Sequence, residues 1–188
     1  MVSKAGLREH MRQRLRSQEP EERRKRSLLI EERFLQMDAY RKARLVLYYV
    51  SMPQEVDTFR LMESALAQGK RVAVPACDTA GTDLGVYELS SLGQLRPGTL
   101  GILEPEVSTC EAVVLAEIDL VVVPGLAYDL RKNRLGRGKG YYDRFLSRLP
   151  ESVPKVALAF DFQIVDEVPV EDHDVPLDVV LTDRRKIR

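Results

Sequence analysis

Ten consecutive residues, Arg134-Leu135-Gly136-Arg137-Gly138-Lys139-Gly140-Tyr141-Tyr142-Asp143, carry the densest chemistry in this chain. Alternate glycines let the backbone approach a ligand closely and adopt positive φ, so that successive N–H groups can point at one anion. Arg134, Arg137 and Lys139 add charge, and a helix opening at Tyr141 would add the positive end of its dipole. The pattern is that of a phosphate cradle, and Asp143 stands where a carboxylate could hold a metal beside it.

The segment is not a Walker A loop, because Lys139 is followed by Gly140 rather than Ser or Thr. It also lacks the glycine spacing of the dinucleotide fingerprint. A solvated flexible turn is the alternative, and the ordered continuation into Tyr-Tyr-Asp and an amphipathic stretch weighs against it. Over the whole chain 29 Lys and Arg balance 29 Asp and Glu, so no general basic field exists for coating nucleic acid. The positive charge is local, with Arg131, Lys132, Arg134, Arg137, Lys139 and Arg144 clustered around Asp143. That asymmetry favours a small polyanion.

The 188 residues fit one domain with a real core, residues 1–188. Cys77 and Cys110 are far apart and outside any C-x-x-C pair, which argues against a zinc site and a disulfide framework. No apolar run reaches the length of a membrane span. The Arg-rich start contains Glu9, Glu19, Glu21 and Glu22, which a transit peptide avoids. The expectation is a cytoplasmic monomer that acts on small molecules, without nucleic-acid or membrane partners.

The elements that must position the cradle follow from periodicity. Lys4 to about Met37 reads as helical with a break at Ser17-Gln18-Glu19-Pro20. Leu7, Met11 and Leu15 form one apolar stripe, and Leu28, Leu29, Phe34 and Leu35 are expected on the buried side of the second helix. Strands are expected at Leu45–Val50, Arg71–Pro75, Leu84–Leu89, Ala116–Val123, Lys155–Phe160 and Asp178–Thr182, with helices at Thr58–Gln68 and Tyr141–Leu149. Ala116–Val123 is the most apolar strand and is placed centrally. Such alternation implies an α/β fold with a mainly parallel sheet and helices on both faces. Ligands in these sheets bind beyond the strands' carboxyl ends, which is where Pro124 begins.

Val123-Pro124-Gly125-Leu126-Ala127-Tyr128-Asp129 followed by Arg134–Asp143 resembles the signature of the 5-formyltetrahydrofolate cyclo-ligase family. Lys4-Ala5-Gly6-Leu7-Arg8, Ser51-Met52 with Glu55-Val56-Asp57-Thr58, Gly101–Pro105 and Asp178–Thr182 resemble further family segments. The resemblance implies a three-layer, sugar-phosphate-isomerase-like domain that closes 5-formyltetrahydrofolate to 5,10-methenyltetrahydrofolate using ATP and Mg²⁺. It implies that Arg134, Leu135, Gly136, Arg137, Gly138, Lys139, Gly140, Tyr141 and Tyr142 bind ATP, with Lys4 and Arg8 reaching the phosphates from the first helix. Arg137, Lys139 and Tyr142 would serve catalysis. Asp143 and Asp174 would hold the metal, Glu55 would bind the pterin, and Val50, Met52 and Tyr142 would line the folate pocket.

One position departs from that pattern. The family usually carries glycine where this chain has Lys132, so a left-handed backbone there would be strained. Two other readings stay open on residues alone: a sugar-phosphate isomerase with Asp143 as base, and a nucleic-acid module built on the Arg-Gly-Lys segment. The absence of aromatics interleaved among the cations argues against the second.

Overall fold

The computed structural model describes residues 3–77, 83–98 and 101–188. Two helices, α1 (Lys4–Arg16) and α2 (Pro20–Leu35), open the chain, and a short α3 (Asp38–Lys42) follows. Then come β1 (Leu45–Leu47), α4 (Phe59–Ala67), β2 (Arg71–Cys77), β3 (Leu84–Leu89), β4 (Leu95–Pro97), β5 (Leu103–Pro105), β6 (Glu111–Ala112) and β7 (Leu120–Val123). The remainder is β8 (Ala127–Tyr128), β9 (Arg134–Leu135), α5 (Tyr141–Leu146), β10 (Lys155–Ala159), β11 (Val179–Thr182) and β12 (Lys186–Ile187).

The central sheet has the order β12-β11-β10-β7-β1-β2-β3-β6. Its five middle strands are parallel, and β12, β3 and β6 add antiparallel edges. β7 lies inside the sheet between β10 and β1, as its composition demands. All four of its residues are buried. Leu120 and Val122 join the core on one face while Val121 and Val123 join the core on the other. A strand covered on both sides has no wet face to mark with polar residues, hence the unbroken apolar run.

The helices divide between the two faces. Leu7, Met11 and Leu15 of α1, Ile30 and Phe34 of α2, Tyr40 of α3, and Leu61, Met62 and Ala65 of α4 pack in one core. Phe145 and Leu146 of α5 pack in the other. The stripe expected on α1 is therefore the buried one. On α2 the expectation is half right: Phe34 is fully buried, but Leu28 and Leu29 are 38% and 45% exposed. The inward positions are Ser27, Ile30 and Phe34, at spacings of three and four, so the helical period overrides the Leu-Leu pair.

Three boundaries also shift. β1 ends at Leu47, and β7 starts at Leu120 after a single 3₁₀ turn at Leu115–Glu117. α5 stops at Leu146 after less than two turns, although Leu149 beyond it still packs in the core. Such a short helix contributes little dipole to the cradle.

The chain leaves β1 through α4 toward β2 on one side, and leaves β7 through α5 toward β10 on the other. The direction of winding thus reverses between adjacent strands β1 and β7. A crevice opens at such a reversal, beyond the carboxyl ends of the strands.

Candidate active site at the carboxyl edge of the sheet

A cavity of about 520 Å³ occupies that crevice. Its floor is the carboxyl ends of three parallel strands: Tyr49 and Val50 after β1, Pro75 and Cys77 in β2, and Pro124 and Gly125 after β7. Every site residue expected from the sequence lines it, from Lys4 and Arg8 through Val50, Met52 and Glu55 to Arg134–Asp143 and Asp174. The sequence positions are as much as 170 residues apart.

The glycine segment is presented by a hairpin. β8 and β9 pair antiparallel, Ala127 opposite Leu135 and Tyr128 opposite Arg134. Asp129, 1% exposed, ties the intervening turn. Its Oδ1 accepts from the N–H groups of Arg131 (2.9 Å) and Asn133 (3.0 Å), and its Oδ2 accepts from Asn133 Nδ2 (2.9 Å) and Val168 N–H (3.1 Å). A buried carboxylate with four donors is well compensated. Gln163 fixes the strand's exit by donating Nε2 to the carbonyls of Gly125 (3.2 Å) and Leu126 (3.1 Å). Neither residue was singled out from the sequence. The Asp-x-x-x-Asn spacing was the available sign of a tied turn, whereas Gln163 left no local sign.

Within the cradle Gly138 and Gly140 adopt φ of 104° and 69°. A side chain at Gly138 would also press on Arg8, 3.3 Å from its Cζ. Both positions therefore favour glycine. Arg134 is anchored: its side chain is 3% exposed, one terminal nitrogen donates to the Pro124 carbonyl (3.3 Å), and the other meets Asp143. Its Nε is buried without a hydrogen-bond partner among the described residues. Arg137 and Lys139 are exposed, and Lys139 Nζ lies 5.8 Å from the centre of the Tyr141 ring. Tyr142 lies beneath Arg134, with the guanidinium 5.9 Å from its ring centre, and burial pushes its phenol well above the ordinary range.

Helix α1 brings the second set of cations. Ser3 caps it by accepting from Gly6 N–H at 3.1 Å. The buried stripe Leu7-Met11-Leu15 holds α1 against the core and turns Lys4, Arg8 and Arg12 toward the cavity. Arg8 Nε donates to the Gly136 carbonyl at 3.0 Å. Lys4 Nζ meets Glu171 at 2.8 Å and Asp174 at 3.0 Å. Burial opposes the charge on both Lys4 and Asp174. Their hydrogen bonds outweigh it, holding the ammonium above and the Asp174 carboxyl below their ordinary values. Glu171 is a partner that the sequence reading passed over.

The opposite wall is the turn after β1. Thr58, fully buried, staples it: Oγ1 donates to the Tyr49 carbonyl (2.7 Å) and accepts from Ser51 N–H (3.1 Å). Glu55 projects from this turn with one oxygen accepting from Met52 N–H at 2.9 Å and the other paired with Arg137 at 2.5 Å. Ile102 and Leu103, from the segment Gly101–Pro105 that was matched to the family without a role, complete the apolar wall beside Met52.

Asp143 and Asp174 each face a cation. Among the described residues no group of three His, Cys, Asp or Glu forms a ready metal cluster. His173 is exposed at the cavity rim. Cys77 and Cys110 form no disulfide among the described residues. No helix among the described residues is long and apolar enough to cross a membrane.

A doubly wound α/β sheet carries this cation-rich cavity at its winding reversal, an arrangement suited to holding an anion beside a second, partly apolar ligand. The 5-formyltetrahydrofolate cyclo-ligase family model matches residues 1–183, and the chain belongs to that family of ATP-dependent ligases. It is 34% identical to the 5-formyltetrahydrofolate cyclo-ligase of Mus musculus, covering 95% of this chain and 93% of that one. Its identity to the Mycolicibacterium smegmatis cyclo-ligase is 37%, over 77% of this chain and 76% of that one. The solved 5,10-methenyltetrahydrofolate synthetase of Aquifex aeolicus superposes with a TM-score of 0.87 at 32% identity, covering 100% of this chain and 93% of its own. Family membership displaces the isomerase and nucleic-acid readings.

Proposed function

We propose that the protein closes 5-formyltetrahydrofolate to 5,10-methenyltetrahydrofolate with ATP and Mg²⁺, releasing ADP and phosphate. The observation that carries this is the single cavity in which a cationic glycine cradle faces a carboxylate-bearing, partly apolar wall. A formamide oxygen leaves poorly. It therefore attacks the γ-phosphorus of ATP first, forming an O–P bond as the bond to the ADP oxygen breaks. The neighbouring folate nitrogen then attacks the activated formyl carbon and loses its proton, and the C–O bond breaks to release phosphate.

Neither step needs a protein nucleophile. Phosphoryl transfer depends on positioning and charge neutralisation. Arg137, Lys139 and the backbone N–H groups of Gly136–Gly140 surround the phosphates, with Lys4 and Arg8 closing from α1. Arg134 fixes Asp143 and the floor of the cradle. Glu55 accepts hydrogen bonds from the pterin ring N–H and amino group, and Val50, Met52 and Tyr142 flank the ring. Asp143 and Asp174 are the residues that would hold Mg²⁺, which would neutralise phosphate charge when bound. The ion commonly takes only one or two carboxylates besides phosphate and water, so Asp143 and Asp174 suffice without a preformed cluster.

The test is isotopic. Substrate carrying heavy oxygen in its formyl group should deliver that oxygen to inorganic phosphate, one label per methenyl product. Label appearing only in water would rule out phosphorylation of the formyl oxygen.

A further inference from the structure

Three ion pairs in the cavity share one pattern. Each joins a cation suited to the nucleotide with a carboxylate suited to the metal or the folate: Lys4 with Asp174, Arg134 with Asp143, and Arg137 with Glu55. The first two lie within the nucleotide half. Arg137–Glu55 instead joins the glycine cradle to the turn after β1, across 82 residues of sequence.

The two partners are held unequally. Glu55 is 11% exposed, and its Oε2 is fixed by Met52 N–H at 2.9 Å. Arg137 is 39% exposed and is the less buried partner of the pair. Arg137 therefore occupies Oε1, the oxygen that the turn leaves open to a second ligand. While the pair is closed, one terminal nitrogen of Arg137 and one oxygen of Glu55 are committed to each other.

We propose that the Arg137–Glu55 pair is a latch that makes the binding of nucleotide and folate mutually supportive. The proposal rests on the functional reading above. A phosphate that draws Arg137 away leaves Glu55 Oε1 without its cation, ready to accept from a ring N–H. A folate that engages Glu55 releases Arg137 to the phosphates. Each ligand removes a competitor of the other, and its own groups take the place that the departing partner held. Linkage makes the effect equal in the two directions. A half-exposed pair supports a coupling of about fivefold.

Calorimetric titration reads this directly, using 5-formyltetrahydrofolate and a nonhydrolysable ATP analogue with Mg²⁺, each alone and each with the other saturating. The wild-type protein should bind either ligand about fivefold more tightly in the presence of the other. In Arg137→Ala and Glu55→Gln that factor should fall to about one, while Arg137→Lys retains part of it. Glu55→Gln should also bind the nucleotide analogue alone more tightly than wild type, since Arg137 is then released. A residue that only touched folate would not have that effect.

A coupling factor near one in the wild type, or one unchanged in both variants, overturns the latch. So does a Glu55→Gln protein with no gain in nucleotide affinity; if that variant fails to fold, the exposed Arg137 variants decide. Failure of the folded wild type to bind either ligand overturns the functional reading together with the latch. Binding and turnover without coupling overturn the latch alone.

Discussion

Lys132 holds φ at 68°, the only positive value for a non-glycine among the described residues. Its backbone N–H donates to the Asp129 carbonyl (3.0 Å), and its own carbonyl accepts from Leu177 N–H (3.1 Å), so the turn cannot relax without losing both. An L-residue pays about 1–2 kcal/mol for this geometry, partly offset by the extra freedom glycine brings to the unfolded chain. Lys132→Gly should therefore stabilise the protein by about 0.5–1 kcal/mol. Denaturant unfolding should show a higher midpoint at unchanged slope. A lower midpoint would mean that the lysine side chain stabilises the turn. This strain was legible in the sequence because one residue broke a pattern. Asp129, which ties the same turn, was quoted without a role because a carboxylate's burial is set by chain segments that meet only in the fold.

At the scale of elements, α1 serves the core and the site together, since one face packs and the adjacent face reaches the cavity. Met11 is 1% exposed at the centre of the stripe, and Lys4 and Arg8 are carried on the same helix. Met11→Ala should cost about 2–4 kcal/mol of stability through the cavity it leaves. It should also raise KM for ATP while KM for folate changes less, because Glu55 and Met52 sit on a separate turn stapled by Thr58. Equal changes in the two KM values would argue that α1 does not serve the nucleotide half. The stripe at spacing four made α1 readable. The hairpin β8–β9 was not, because two-residue strands carry no periodicity. On α2 the adjacent leucines misled, since helical phase rather than hydrophobicity decides which side faces inward.

For the whole molecule, the sheet's winding reversal explains why residues from both ends of the chain and its middle meet in one crevice. Alternating apolar and helical segments revealed the parallel sheet. Strand order and the pairing of Lys4 with Asp174 lay beyond local pattern, because they depend on long-range packing. The same burial sets a pH limit. Burial raises the phenols of Tyr40, Tyr48, Tyr49, Tyr128 and Tyr142 above the ordinary value, five of the seven tyrosines. A raised folded value gives stability that is fully present below the unfolded pKa and is lost as pH rises past it toward the folded one. Stability should hold to about pH 10 and then fall, by up to about 1.4 kcal/mol per pH unit for each group. Circular dichroism and phenolate absorbance should change together in that range. Phenolate formation on Tyr40, Tyr48, Tyr49 and Tyr128 while the fold persists would contradict their burial.

The most direct test of the ligase assignment is to mix the purified protein with 5-formyltetrahydrofolate, ATP and Mg²⁺ and follow near-ultraviolet absorbance alongside ADP. The site described here predicts methenyl product appearing in equal amount to ADP, with none when ATP is omitted. A folded protein that yields no methenyl absorbance across several pH values, or yields it equally without ATP, would contradict it.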